Sequence, residues 1–346
     1  MKRIKTLLIA LLCLISALPL GGCGGNKRYE EQLFAMDTAM TLTAYGKNAE
    51  AGLSSAAGVL RSLDAMLDPE NEDSAVYDIN HANGGSVVVK GQVAEMLSAA
   101  AEVYERSNKA LDLSIYPLVK AWGFIDGKYT VPSAEEIEAL RGNLNFSAVT
   151  VTSFTESGDY LVTAPAETAL TFGAVARGCA SGYAVAALRA AGVTSAIVSL
   201  GGNVQTLGLK PDGSNWNVAV QDPNNTGSYV GVLSVGETAV VTSGGYQRYF
   251  LGEDGARYHH ILDPATGYPA NSGLSSVTVV CPDGLLADAL STALFILGED
   301  KAIDYWHTYG GFEMVLVTDD GRVVVTDGLY DTFSAYGENY EYEYVR

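Results

Sequence analysis

Histidine and cysteine are scarce in this chain, four of each in 346 residues, and Lys plus Arg number 21 against 40 Asp plus Glu. No Gly-Lys-Ser phosphate loop, no Gly-x-Ser-x-Gly elbow and no His-Glu-x-x-His pair occurs, which removes the commonest kinase and hydrolase chemistries. A formal charge of -19 repels nucleic acid and anionic lipid, so neither is expected as a partner. Any phosphate-bearing ligand must then be received by local cations, backbone N–H groups or a metal.

What is present begins with a targeting pattern. Lys2, Arg3 and Lys5 precede an apolar run from about Leu7 to Leu20, which is too short and too close to the start for a comfortable membrane span. Leu20-Gly21-Gly22-Cys23 resembles a bacterial lipobox, so residues 1–22 are expected to be a lipoprotein signal peptide and Cys23 the lipidated residue. A plain signal peptide with an incidental cysteine is the alternative. Residues 23–30 then serve as a tether, and 31–346 form the folded part, held on the extracytoplasmic side of a bacterial cell membrane. Processing removes three positive charges and leaves Cys179 and Cys281, too few for a disulfide framework or a zinc site.

Along the mature chain, "LFAMDTAMTLTAYG" reads as strand, with Thr41, Thr43 and Tyr45 alternating against apolar residues. A helix follows, with Leu53, Ala56, Ala57, Leu60 and Leu63 at helical spacing; then come a polar loop, "DPENEDSAVYDINHANGG", and a helix from Gln92 to about Ser107. "LDLSIYPLVKAWGF" has no clean period. The centre runs strand, turn, helix (about Ala174 to Ala191), strand; "LLADALSTALFILG" is apolar on most sides and so a buried helix. A Tyr/Glu-rich tail ends the chain. With no repeat and no linker, the expectation is one α+β unit of two interlocked sheet-and-helix layers.

Asp288 and Thr292 stand out as polar groups at i and i+4 on that apolar helix, with Ser291 beside them. Together they suit a hard, oxygen-seeking cation such as magnesium; a carboxylate serving a helix dipole and a hydroxyl bonded back to its own helix fit equally well. Gly173, Gly178 and Gly182 do not make a dinucleotide fingerprint, but Arg177 in a helix's first turns could hold an anion. In "RYHHILDPATGYP", His259 and His260 precede a Pro/Gly turn. On a strand they point to opposite faces, one toward a site or the core.

Seven segments in order, from "FAMDTAMTLTAYG" through "DLSIYPLVKAWGF", "FGAVARG", "VSLGGNVQTLG", "TSGGYQRYF" and "YHHILDPATGYPA" to "ADALSTALFILG", resemble the ApbE-type FAD:protein FMN transferase family. The resemblance implies a T-fold-like α+β domain that uses FAD as substrate with Mg²⁺ on its pyrophosphate. FMN would pass to a Ser or Thr hydroxyl of an acceptor protein, and AMP would leave. It implies metal ligation by Asp288, Thr292 and the Ala174 carbonyl, and an FAD site near Met36, Lys109, Ala110, Leu111, Thr171, Arg177 and Leu262. His260 would be the general base for the acceptor hydroxyl, its unperturbed imidazole suiting proton removal near neutrality, or a group orienting that hydroxyl; His259 would be structural. Departures from the family pattern are Thr171 and Gly182, where acidic residues are frequent, Arg177 for lysine, Cys179 for an aromatic and Asp37 for glycine. Rival activities are a Mg²⁺-dependent FAD pyrophosphatase and a non-catalytic FAD-binding lipoprotein.

Overall fold

The computed structural model describes residues 27–154 and 158–346, so the expected signal peptide and Cys23 lie outside the described residues. The chain opens on a hairpin, β1 (Arg28–Ala35) and β2 (Thr38–Tyr45), which makes residues 28–30 strand rather than tether. Its turn, Met36-Asp37, has φ of 49° and 57°, the left-handed backbone that a two-residue hairpin turn needs. Glycine adopts it freely and aspartate better than most, so Asp37 can stand where relatives are expected to carry glycine.

α1 (Ala49–Leu67) and α2 (Ala75–His81) follow. The segment expected to be a polar loop contains α2 because the Ser74 hydroxyl accepts the Tyr77 N–H at 3.0 Å while Val76 and Ile79 turn inward. β3 (Ser86–Val89), α3 (Gly91–Arg106), α4 (Tyr116–Ala121) and α5 (Ala134–Arg141) come next. β4 (Thr150–Ser153) and β5 (Tyr160–Thr163) pair beside β3. α6 (Ala176–Ala190) leads into β6 (Ala196–Leu200) and β7 (Asn203–Leu207), then β8 (Trp216–Gln221), β9 (Tyr229–Val235) and β10 (Ala239–Gly244). A short hairpin, β11 (Tyr249–Leu251) and β12 (Arg257–His259), precedes β13 (Leu274–Cys281), α7 (Gly284–Leu297) and α8 (Glu299–Tyr309). β14 (Glu313–Thr318), β15 (Arg322–Thr326), β16 (Phe333–Ala335) and β17 (Glu341–Val345) end the chain.

One nine-stranded sheet, in the order β1-β2-β6-β7-β10-β13-β14-β15-β17, organises the molecule. All its pairs are antiparallel except β15 with β17, the Tyr/Glu-rich tail. Alternation along the strands shows that both faces are covered: Met314, Leu316 and Val324 join the helix-side core, while Val315, Val317, Val323 and Val325 pack on β8, β9 and β16. The α+β class is as expected from sequence, and the layers are helices, large sheet and small sheet.

α6 and α7 cross at a pair of glycines. A Cβ on Gly178 would lie 2.1 Å from the Gly284 carbonyl oxygen and 2.5 Å from Asp288 Cβ. Gly178→Ala is therefore expected to destabilise the protein by about 1–3 kcal/mol, as overpacking does, and a thermal melt showing a midpoint equal to wild type would contradict this.

A separate aromatic core, Leu118, Trp122, Phe124, Ile137 and Leu262, lies under the β11–β12 hairpin and the Asp263–Gly267 turn. Asp263 organises that turn, its carboxylate accepting the Ala265 N–H at 2.8 Å and its carbonyl the Gly267 N–H at 2.7 Å. Gly267 has φ of 75° and its carbonyl accepts the Trp122 indole N–H at 3.0 Å, so the turn is pinned to α4.

Candidate active site

A cleft of about 810 Å³ opens where the β1–β2 turn, the Gly201-Gly202 bend, the start of α6 and the residues after β12 converge. Backbone freedom is needed here: Gly201, φ 57°, would place a Cβ 2.0 Å from Thr38 Oγ1. Met36, Ala110, Leu111, Thr171, Ala174, Arg177, His260, Leu262 and Thr292, all anticipated from sequence, line this cleft together. Lys109 does not. Its left-handed backbone, φ 70°, leaves the side chain exposed with Nζ over the Tyr104 ring, so the cleft is served by its neighbours Ala110 and Leu111 instead.

Asp288 also stays off the cleft surface, only 2% exposed, directly behind the wall. Its carboxylate accepts the Gly178 N–H at 2.7 Å and so caps the N-terminus of α6, a helix whose own N-cap residue, Val175, supplies no side-chain bond. Its own helix is capped by Asp283, which accepts from Leu285 and Leu286 N–H. The carboxylate thus serves a helix dipole, but that of a neighbour. Burial pushes the Asp288 carboxyl above its usual range, opposed by the nearby Arg177 guanidinium.

Thr292 sits one turn further on α7 and faces the cleft. Ser291, rather than Thr292, makes the bond back to the helix, to the Asp288 carbonyl at 2.9 Å. Ser243, at the end of β10, holds both hydroxyls, 2.8 Å from Ser291 and 3.2 Å from Thr292. Thr292 Oγ1 and Ala174 at the cleft wall, with the Asp288 carboxylate behind them, make an oxygen-donor set. No group of three or more His, Cys, Asp or Glu side chains is gathered for a metal among the described residues. A set with one carboxylate suits a hard cation that completes its shell with water and substrate phosphate, and does not suit an all-protein cage. Orphaned buried atoms beside it, Arg177 Nε and both amide atoms of Asn203, mark a polar cluster short of partners.

The two histidines separate as expected, but not on a regular strand. β12 ends at His259, whose ring lines a smaller cavity behind the cleft and bonds the Ala270 carbonyl through Nε2 at 3.0 Å. His260 turns into the cleft, its Nδ1 3.1 Å from the Arg248 carbonyl oxygen. A carbonyl only accepts, so Nδ1 carries the proton and Nε2 presents its lone pair. The imidazole is far from unperturbed: burial, then the guanidiniums of Arg177 and Arg248, pull its pKa from 6.5 to about 3. It is a neutral acceptor throughout the physiological range.

Sequence reasoning missed Ser243, Gln247, Asp64 and Asp112, and assigned Arg248 no task. Asp64 accepts the Met36 N–H at 2.7 Å and so fixes the hairpin tip, a pairing 28 residues long with no local signature. Asp112 is buried and held by the Ser114 N–H at 2.7 Å, its carboxyl raised by burial. Arg248 donates to the Phe124 carbonyl. Asp37, Asp64, Asp68 and Glu70 also line the cleft, so it carries carboxylates as well as the two guanidiniums beside His260.

The sequence and the fold have relatives. A protein named FAD:protein FMN transferase from Treponema pallidum is 32% identical in an alignment that covers 93% of this chain and 93% of that one. Another of the same name, from Klebsiella pneumoniae, is 31% identical and covers 91% of this chain and 97% of its own. Among solved structures, the ApbE protein of Thermotoga maritima matches with a TM-score of 0.81 at 27% identity, over 88% of this chain and 99% of that one. The flavinyl transferase ApbE of Pseudomonas stutzeri matches with a TM-score of 0.79 at 29% identity, over 92% and 100%. The sequence profile of the ApbE family matches residues 36–316, a span that holds every residue of the cleft, and the chain belongs to that family.

Proposed function

We propose that this protein is a Mg²⁺-dependent FAD:protein FMN transferase, which moves FMN from FAD to a Ser or Thr hydroxyl of an acceptor protein and releases AMP. One observation carries the proposal. A neutral imidazole with a free Nε2 and two guanidiniums stand at one end of a cleft large enough for a dinucleotide, beside the oxygen donors of Ala174, Thr292 and Asp288.

Arg177 and Arg248 would meet the pyrophosphate, as guanidiniums do bidentately. His260 Nε2 would accept the proton of the acceptor hydroxyl as its oxygen bonds to the FMN-side phosphorus. The bond from that phosphorus to the bridging oxygen breaks, and AMP departs with the bridging oxygen. A bound Mg²⁺ would neutralise phosphate charge and stabilise the departing AMP. Ser243 keeps the Thr292 hydroxyl aimed, and the buried apolar wall of Ala110, Leu111 and Leu262 limits water, which is the competing nucleophile.

Residues 1–22 as a signal peptide and Cys23 as a lipid anchor would place the cleft outside the cytoplasm, facing an extracytoplasmic flavoprotein. The sequence pattern around Cys23 supports this. Incubation with FAD and Mg²⁺, with and without a Ser/Thr-bearing acceptor, tests the activity by chromatography of the nucleotides. AMP appearing only with acceptor is the expected result. Equal AMP and free FMN without acceptor would mean FAD pyrophosphatase, and unchanged FAD would mean a binder alone.

A further inference from the structure

The buried amide of Asn203 has no task in the steps above. Its side chain is fully buried at the start of β7, and neither Nδ2 nor Oδ1 completes a hydrogen bond. Leaving such a group unsatisfied is destabilising, so its persistence calls for a partner.

The register of β7 against α7 identifies one. Side chains two apart on a strand share a face, so Asn203 projects on the side of Gln205. Gln205 Oε1 accepts from Ser181 on α6 at 2.6 Å, and a Cβ on Gly284 of α7 would lie 2.7 Å from that same oxygen. Two strand residues span about 6.7 Å and one helix turn about 6 Å, so stepping from Gln205 to Asn203 matches stepping from Gly284 to Asp288. The amide is thereby placed against the buried carboxylate, within reach of a hydrogen bond to Asp288.

We infer that Asn203 is a positioning residue: it orients the Asp288 carboxylate from behind, so that the oxygen not engaged with Gly178 N–H is presented to the cation. This rests on the Mg²⁺ proposal above. Arg177 flanks the same carboxylate, which also accepts from its backbone N–H, so Asn203 and the N–H groups of Arg177 and Gly178 together fix its orientation in the absence of metal.

Two variants of the full mature chain test this, Asn203→Ala and the similarly sized Asn203→Leu, which fills the space if alanine leaves a damaging cavity. Mn²⁺ alone is titrated in, free ion being counted by electron paramagnetic resonance, and thermal midpoints are taken in chelator. Both variants are expected to weaken Mn²⁺ binding by about 10–100-fold, the usual loss when a group orienting a metal ligand is removed. The midpoint of Asn203→Leu in chelator should stay close to wild type, because leucine fills the space that the amide leaves. Mn²⁺ affinity within twofold of wild type in a folded variant overturns the inference, as does a weakening that only accompanies a fallen midpoint in both variants. Wild type and Asp288→Asn binding Mn²⁺ equally would instead defeat the metal proposal itself.

Discussion

Asp288→Asn is expected to fold and to lose FMN transfer by about 10³-fold or more, since the electrostatic work asked of the cation is several kcal/mol and each 1.4 kcal/mol is a factor of ten. The asparagine carbonyl oxygen can still accept the Gly178 N–H, so the cap on α6 survives while the charge does not. Asp288→Ala loses both and should in addition unfold earlier, by about 1 kcal/mol for the missing cap. Comparing the two separates the structural task of this carboxylate from its proposed chemical one. Full transfer activity in Asp288→Asn would assign Asp288 to helix capping alone.

His260→Ala is expected to lower kcat by about 10²–10⁴-fold, the range for loss of a positioned general base. The pH profile carries further information. With the ring held at about pKa 3, the free protein keeps it neutral, so the acid limb of kcat/KM due to His260 should fall well below pH 6. Substrate phosphates pairing with Arg177 and Arg248 would remove part of the opposition to charge on the ring, and the corresponding limb of kcat should sit higher. A stability consequence runs the same way. A depressed histidine pKa contributes stability that is fully present above the unfolded value of 6.5 and is lost as pH falls from there toward 3. The stability difference between wild type and His260→Gln should therefore shrink through that window, by up to about 1.4 kcal/mol per pH unit. A difference independent of pH between 7 and 4 would show that His260 is not held neutral.

Much of this was legible in the sequence, for identifiable reasons. Strong helical period marked α1, whose Leu53, Ala56, Ala57, Leu60 and Leu63 are all buried, and an apolar helix broken by two polar groups four apart marked Asp288 and Thr292. The opposite facing of His259 and His260 followed from strand geometry even though the strand stops at His259. What failed did so where a single residue's backbone or a distant partner decides. Nothing local says that Lys109 is left-handed and turns its side chain away, or that the one polar segment carries a helix because Ser74 caps it. Asp288 acting as a cap for α6 joins residues 110 apart. The imidazole pKa depended first on burial and then on Arg177 and Arg248, 83 and 12 residues from it, and reversed the expectation of an unperturbed base. Tertiary electrostatics of this kind has no sequence period to reveal it.

The most direct test of the account is the intact mass of a Ser/Thr-bearing acceptor protein, denatured after incubation with this protein, FAD and Mg²⁺. The predicted result is a gain equal to FMN less one water, absent when Mg²⁺ is chelated and absent with Asp288→Asn. An acceptor of unchanged mass in a mixture where FAD has been converted to free FMN and AMP would contradict it.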